Sequence, residues 1–338
     1  MPLLNVENLE VTIRRRDGTP VQPVRGVALH IDPGETLALV GESGCGKSLT
    51  CLAIAGLLPR RATVSAGRVV MEETDLLTLP ARAARLRRRG LIASVFQDAT
   101  NALNPVRPIG WQVAEAIRLR RRLSRSEAAA EAVRLLGRVG LAEPERRARE
   151  FPHQFSGGMN QRAMIALAIA GRPRLLIADE ATTALDVTIQ AQILDLIADL
   201  QAEMGMGMIL VTHDLGIVAQ NADRAAVMYA GRIVETAPVA ALFAAPRHPY
   251  TRGLLDALPR VDRDGGPLST IDGIVPPPDR MPPGCAFAPR CPRAEPACDL
   301  AVPRAQVLPD PALADSALAG AAPRWLACRN PVLLPQEV

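Results

Sequence analysis

Between an apolar stretch, TLALV (36–40), and a helical one, SLTCLAIAGL (48–57), stands GESGCGKS (41–48). A Gly-x-x-x-x-Gly-Lys-Ser turn with a strand before it and a helix after it narrows the choice of fold sharply, because the layout demands a short buried strand that delivers the chain to a helix N-terminus. Glycines Gly41, Gly44 and Gly46 let the backbone curl, so that the N–H groups of Gly41, Ser43, Gly44, Cys45, Gly46, Lys47, Ser48 and Leu49 form an inward-facing cradle. The helix beginning near Lys47 adds the positive end of its dipole. Such a cradle suits a phosphate chain, with Lys47 reaching the β- and γ-phosphates and the Ser48 hydroxyl on Mg²⁺.

A partner element is LLIADE (175–180). Asp179 ends an apolar strand, where its carboxylate can hold the hydration shell of Mg²⁺. Glu180, one residue on, is placed to polarise an attacking water as general base. Many strands end in acidic turns; this one gains weight by following a phosphate loop in a core of the same kind. FSGGMNQR (155–162) decides more. Ser156, Gly157 and Gly158 open the helix NQRAMIALAIA and make a second anion-binding helix N-terminus. A serine N-cap with a flexible glycine pair is the plainer alternative. One nucleotide does not need two cradles in one chain, whereas two chains arranged head to tail do, each phosphate loop facing the other's Ser-Gly-Gly.

Around these motifs the chain alternates strand, turn and helix, as an α/β protein with a parallel-sheet core does. Residues 3–13 and 24–31 read as strands of an antiparallel β subdomain, and LIASVF (91–96) as a buried strand ending at Gln97. From about 98 to 158 the text is rich in Ala and Arg with helical period, which predicts an inserted α-helical subdomain. Strand character returns at RLLIAD (174–179) and MILVTH (208–213), with a helix at 188–203 between them, and AAVMYAGRIVETA (225–237) reads as two strands turning at Ala230-Gly231. The expected domains are 1–240, carrying the nucleotide machinery, and 241–338, a C-terminal extension. After about 260 prolines crowd in, from Pro276 to Pro296, and no continuous helix or central strand can pass through them. That part is a disordered tail or a loop-rich module held by something other than an apolar core.

Composition excludes some partners. Hydrophobic residues are 48% and charged ones 22% of 338, and no run of about 18 apolar residues could span a bilayer. MPLLNVENLEV lacks the basic and apolar regions of a secretory signal, which implies the cytosol unless a partner holds the chain at a membrane. The net charge of +4 comes from local arginine runs, but aromatics are only 3% and none interleave with those runs. Nucleic acid is therefore not an expected partner. Four of the six cysteines, Cys285, Cys291, Cys298 and Cys328, lie late in the chain. Their spacing matches neither zinc ribbons nor ferredoxins, so by itself it indicates a soft-metal site with the metal undecided.

Taken together the chain resembles an ATP-binding cassette (ABC) ATPase, and more narrowly the ATPase subunits of oligopeptide, dipeptide and nickel importers. The narrower likeness rests on FQDATNALNPV (96–106), FPHQFSGGMNQR (151–162), EATTALDV (180–187), HPYTRGLLDALPR (248–260) and PPGCAFAPRCP (282–292). The resemblance implies a P-loop NTPase (RecA-like) core and ATP as the nucleotide. It makes Gln97 the glutamine that touches Mg²⁺, Asp186 an aspartate at the dimer seam and His213 the histidine that contacts the γ-phosphate. It further implies a second ABC ATPase subunit, identical or paralogous, two integral membrane permease subunits and an extracytoplasmic solute-binding protein, with this chain peripheral on the cytoplasmic face of the inner membrane. The cargo stays open among peptides, nickel chelates and glutathione.

Three departures accompany the likeness. Met159 stands where glutamine often ends the signature, and Ala181 where proline is usual, a change expected to loosen the turn after Glu180. No Phe, Tyr or Trp precedes Phe96. Adenine is then left to an aliphatic surface near Ile13 or to an arginine plane, Arg14 or Arg15. Some ATPases of this kind carry a 4Fe-4S cluster on a C-terminal extension, so the resemblance makes a cluster on Cys285, Cys291, Cys298 and Cys328 the preferred reading, ahead of zinc and of free thiols. Its role would be to staple a segment with little core of its own.

Overall fold

Thr36–Val40 is buried along its whole length and runs parallel to Arg224–Tyr229, with Leu37 opposite Arg224 and Val40 opposite Val227. In a computed structural model, which describes residues 1–121, 123–181, 186–258, 270–308 and 323–333, this pair forms the centre of one of two packed units. Residues 182–185 of the EATTALDV segment, and the final two of HPYTRGLLDALPR, lie outside the described residues. One unit comprises Asn5–His30, Thr36–Val69 and Val211–Val338; the other comprises Met1–Leu4, Ile31–Glu35 and Val70–Leu210.

In the first of these, the strands run Gln306–Leu308, Arg324–Leu326, Arg232–Pro238, Arg224–Tyr229, Thr36–Val40 across the sheet. Arg224–Tyr229 and Arg232–Pro238 are antiparallel, joined by Ala230 (φ 44°) and Gly231 (φ 85°), the turn expected from the sequence. Pro20–Ile31, Leu4–Arg14 and Ala62–Met71 lie side by side in a second sheet, in the place expected of the β subdomain. Fixed φ angles and missing donors confine the proline-rich segment to short pieces, Ala288–Arg290, Pro296–Leu300, Gln306–Leu308 and Arg324–Leu326. Yet it is no loose tail. Arg324–Leu326 pairs antiparallel with Arg232–Pro238, setting Leu326 opposite Glu235 and Trp325 opposite Thr236.

A buried polar centre sits beside that pairing. Glu235 accepts the N–H groups of Arg247 and His248, each at 2.9 Å, and pairs with Arg324 at 3.2 Å. Arg324 also donates to the Ala241 carbonyl at 2.8 Å and to that of Ala245. His248 in turn accepts the Tyr250 N–H on Nδ1 at 3.1 Å and caps the helix Pro249–Asp256. Burial pushes the His248 pKa down to about 3. The unfolded chain therefore takes up a proton near pH 6.5 that the folded one refuses until about pH 3. Stability is lost as pH falls through that window, at up to about 1.4 kcal/mol per pH unit. His248→Gln should flatten the fall in urea midpoint between pH 7 and pH 4 relative to the parent; an unchanged slope would remove His248 as its source.

In the other unit, Ile92–Val95 runs parallel to Leu175–Asp179, with Gly207–Val211 on the far side. The helix Ala81–Leu91 takes in Leu91, so this strand begins one residue later than the apolar run suggested. Three helices supply the expected helical subdomain and its neighbour: Ile109–Arg120, Arg125–Arg138 and Gly157–Ile169, packed on one another. Arg125–Arg138 starts at a capping box in which Ser124 and Glu127 satisfy each other's N–H groups.

The cysteine expectation is corrected here. All four late cysteines are described, yet among the described residues there is no group of three or more His, Cys, Asp or Glu side chains placed to hold a metal ion, which overturns the expected cluster. They are free thiols. Burial raises the Cys285 and Cys291 pKa values and pushes Cys328 up to about 12. The segment needs no staple for want of a core, because it shares one. Phe287 is buried against Tyr229 and Tyr250, with ring centroids 5.2 and 5.3 Å away, within an apolar cluster that includes Val40, Val227 and Leu255.

Candidate functional site

The phosphate loop leaves the Thr36–Val40 strand and ends in the helix Lys47–Ala55, whose N-cap is Gly46. Two of its glycines are dictated by their surroundings. A Cβ on Gly41 (φ +149°) would fall 2.1 Å from the Met228 carbonyl oxygen, and one on Gly46 (φ +107°) 2.8 Å from that of Pro23. The backbone can curl there only without side chains. Ser43, Gly44 and Ser48 are exposed at the mouth, Leu49 is half-buried, and Cys45 is buried with its thiol pKa raised by that burial. Lys47 is buried to 5% exposure, and its ammonium donates to the carbonyls of Gly41 at 2.8 Å and Glu42 at 3.1 Å. The lysine thus crosses the inside of the curl it would share with a phosphate.

His213 belongs to the same unit. It is exposed in the turn after Gly207–Val211, two residues beyond the strand end that the sequence had suggested it would occupy. Hydrogen bonds fix that turn: Asp214 N–H donates to Thr212 Oγ1 at 3.0 Å, and the Asp214 carboxylate accepts the Gly216 N–H at 2.7 Å. Of the arginines considered for adenine, Arg15 forms an ion pair with Asp279 at 2.9 Å, while Arg14 is exposed and Ile13 half-buried.

The remaining candidates lie in the other unit. Val95 is opposite Ala178 in the parallel pair, so the two strands deliver Gln97, Asp179 and Glu180 to the same carboxyl-terminal edge. That edge is where open parallel sheets bind ligands. Asp179 and Glu180 are half-buried and Gln97 is exposed. Glu180 has φ 48°, a left-handed conformation unusual for a side chain this long. Ser156 caps the helix Gly157–Ile169 by accepting the Met159 N–H at 3.3 Å, and Ser156 and Gly157 are exposed at its tip. Gly158 faces Ile189, where a Cβ would sit 3.2 Å from the Ile189 Cγ2. Asp186 caps Val187–Met204 through the Ile189 N–H at 3.0 Å. Ala181 opens the turn after Glu180. It is 4% exposed, and its carbonyl accepts a hydrogen bond from the Gln161 amide of the Ser156 helix.

Sequence reasoning passed over Glu42, Tyr250 and Arg290. The Tyr250 hydroxyl accepts the Glu42 N–H at 2.9 Å, and Arg290 pairs with the Glu42 carboxylate at 2.9 Å. Burial opposes the Arg290 charge, but its bonds to Glu42 and Tyr229 outweigh that and raise its pKa. Glu42 lies in the phosphate loop itself, while HPYTR and PPGCAFAPRCP, which contain Tyr250 and Arg290, had served as marks of resemblance and, in the second, as a source of cysteines.

Residues 24–183 match the ABC transporter family model, and residues 234–298 match that of the oligopeptide/dipeptide transporter C-terminal region. A Brucella abortus (strain 2308) protein named for peptide import and ATP binding is 50% identical over 89% of this chain and 93% of its own. The dipeptide transport ATP-binding protein DppD of Bacillus subtilis (strain 168) is 48% identical, over 89% and 90% respectively. Among solved structures, the dimeric post-hydrolysis state of the cassette MJ0796, bound to ADP and Pi, superposes with a TM-score of 0.63 at 27% identity, covering 70% of this chain and 98% of that one. CbiO1 of Clostridium perfringens, part of the transporter complex cbiONQ, gives 0.61 at 29% identity, covering 72% and 91%. With a phosphate loop, a Ser-Gly-Gly helix tip and such relatives along most of its length, the chain belongs to the ABC transporter ATPases, in the oligopeptide/dipeptide transporter branch.

Proposed function

We propose that this ATPase works as one half of a head-to-tail pair that drives import of peptides or dipeptides through two membrane permease subunits. The observation that carries the pairing is the presence of two separate helix-tip cradles in one chain, the Lys47–Ala55 tip with its phosphate loop and the Ser156–Gly158 tip, exposed at Ser156 and Gly157. ATP would lie between the loop of one subunit and the Ser-Gly-Gly of the other. Lys47 and the loop N–H groups hold the phosphates, Glu180 accepts the proton of the attacking water and His213 meets the γ-phosphate. Ser48, Gln97 and Asp179 offer hydroxyl, amide and carboxylate oxygens, the hard donors that suit Mg²⁺, which when bound neutralises developing phosphate charge. Asp186 stands at the seam.

Peptide import is supported by the C-terminal family match and by the names of the relatives; nickel chelates and glutathione are the other cargoes this branch suggests. Among the described residues no helix is long and apolar enough to cross a membrane, so passage of solute falls to the permeases, with an extracytoplasmic binding protein delivering it. On this reading the chain sits at the cytoplasmic face of the inner membrane. The helical subdomain offers a surface for the permeases: Trp111 is 48% exposed, with the Arg107 guanidinium 4.8 Å from its ring centre, and Val106 is exposed beside them.

The test is assembly with the membrane partners, asking which solute raises ATP turnover. Ser156→Arg should remove Mg-ATP-dependent pairing while each chain still binds ATP, since the bulky cation fills the tip but leaves the phosphate loop untouched. Pairing that persists in this variant, by analytical ultracentrifugation with the proper mate, would defeat the head-to-tail reading.

A further inference from the structure

The phosphate loop is held from behind by the C-terminal region at one residue. Glu42 receives two contacts from it: the Tyr250 hydroxyl accepts its N–H, and Arg290 pairs with its carboxylate. Its own carbonyl is one of the two that accept the Lys47 ammonium. A path of two bonds therefore runs from Arg290 through Glu42 to the lysine that would meet the phosphates. The guanidinium is not a drifting surface group. It also donates to the carbonyls of Ile271 at 3.1 Å and Asp272 at 2.8 Å and to the Tyr229 hydroxyl at 3.3 Å, and its side chain is 6% exposed.

Exposed ion pairs hold geometry weakly, because water screens them and both side chains must be immobilised. This pair is mostly shielded, and its arginine is oriented by three further acceptors, so it can fix a backbone position. We propose that Arg290 is a positioning residue for nucleotide binding: it sets the entry of the phosphate loop through Glu42, which makes the C-terminal region a working part of the ATP site. The inference rests on the reading of residues 41–48 as the loop that grips ATP.

The experiment uses the full-length chain assembled with its membrane partners, and measures KM for ATP and kcat. Arg290→Ala should raise KM about tenfold, the scale of a lost charge-assisted hydrogen bond, with kcat little changed. Arg290→Lys keeps the charge but cannot serve the carbonyls and Glu42 together, and should recover part of the loss. Arg290→Ala combined with Glu42→Ala should be no worse than the more damaging single change, because both break one link. Thermal melting identifies any variant that has merely unfolded, and the lysine variant then carries the comparison. A folded Arg290→Ala with an unaltered KM, a loss confined to kcat, or multiplicative effects in the double variant would overturn the proposal. Lys47→Ala in the same assay tests the underlying reading separately: if ATP still binds normally, the loop assignment fails whatever Arg290 does.

Discussion

Glu180→Gln will slow ATP hydrolysis by about 10²–10³-fold, within the range a positioned general base contributes, while ATP still binds. The substitution keeps the size and hydrogen-bonding outline of the side chain and removes only its ability to take a proton from water. Its backbone setting makes the result specific. Glu180 follows Asp179 at the carboxyl end of a strand buried up to Ala178 and adopts φ 48°. A non-glycine residue in that region costs of order 1–3 kcal/mol, and the surroundings must hold it there. Buried Ala181, fastened by Gln161, does so. The backbone at this position is thus set by the fold, and glutamine inherits it. Single-turnover hydrolysis and equilibrium ATP binding, measured on the assembled transporter, separate the two effects. Hydrolysis above a tenth of the parent rate would exclude Glu180 as the base.

Glu235→Ala is expected to cost about 3–5 kcal/mol of stability, the penalty for stranding a buried charge. Glu235 and Arg324 are 0% and 1% exposed. Burial raises the Glu235 pKa, against which the N–H groups of His248 and Arg247, the Thr251 hydroxyl and Arg324 all pull. Truncation to alanine removes the shared acceptor and leaves a guanidinium that cannot deprotonate facing an apolar gap. Glu235→Gln keeps one acceptor oxygen and should lose less. Urea unfolding with limited proteolysis of the C-terminal region checks both the size and the place of the damage. An alanine variant as stable and protease-resistant as its parent would show that Arg324 is held by the Ala241 and Ala245 carbonyls alone.

The cassette core could be read from the chain because its signals are local. A strand, a Gly-rich turn and a helix follow one another within residues 36–57, and hydrophobic period did the rest for Leu175–Asp179 and Gly157–Ile169. What could not be read depends on partners far away in sequence. Arg290 meets Glu42 across 248 positions, and Arg324 meets Glu235 across 89. Neither pairing leaves a periodic trace. The mistaken metal cluster arose the same way: four cysteines among prolines looked like a segment without a core, since nothing near Phe287 announced that Tyr229 and Tyr250 would receive it. The bond to the Ala181 carbonyl was equally out of view, since it comes from Gln161, twenty positions earlier.

The pairing of Arg324–Leu326 with Arg232–Pro238 bears on how freely such proteins can be recombined. A chimera that keeps the cassette and exchanges the tail for that of a relative must also match this three-residue ribbon. Otherwise the Arg232–Pro238 strand shows solvent a row of bare amides and carbonyls, and such margins recruit other chains into aggregates. Shuffling at the apparent junction near residue 240 would therefore lower solubility before it changed cargo.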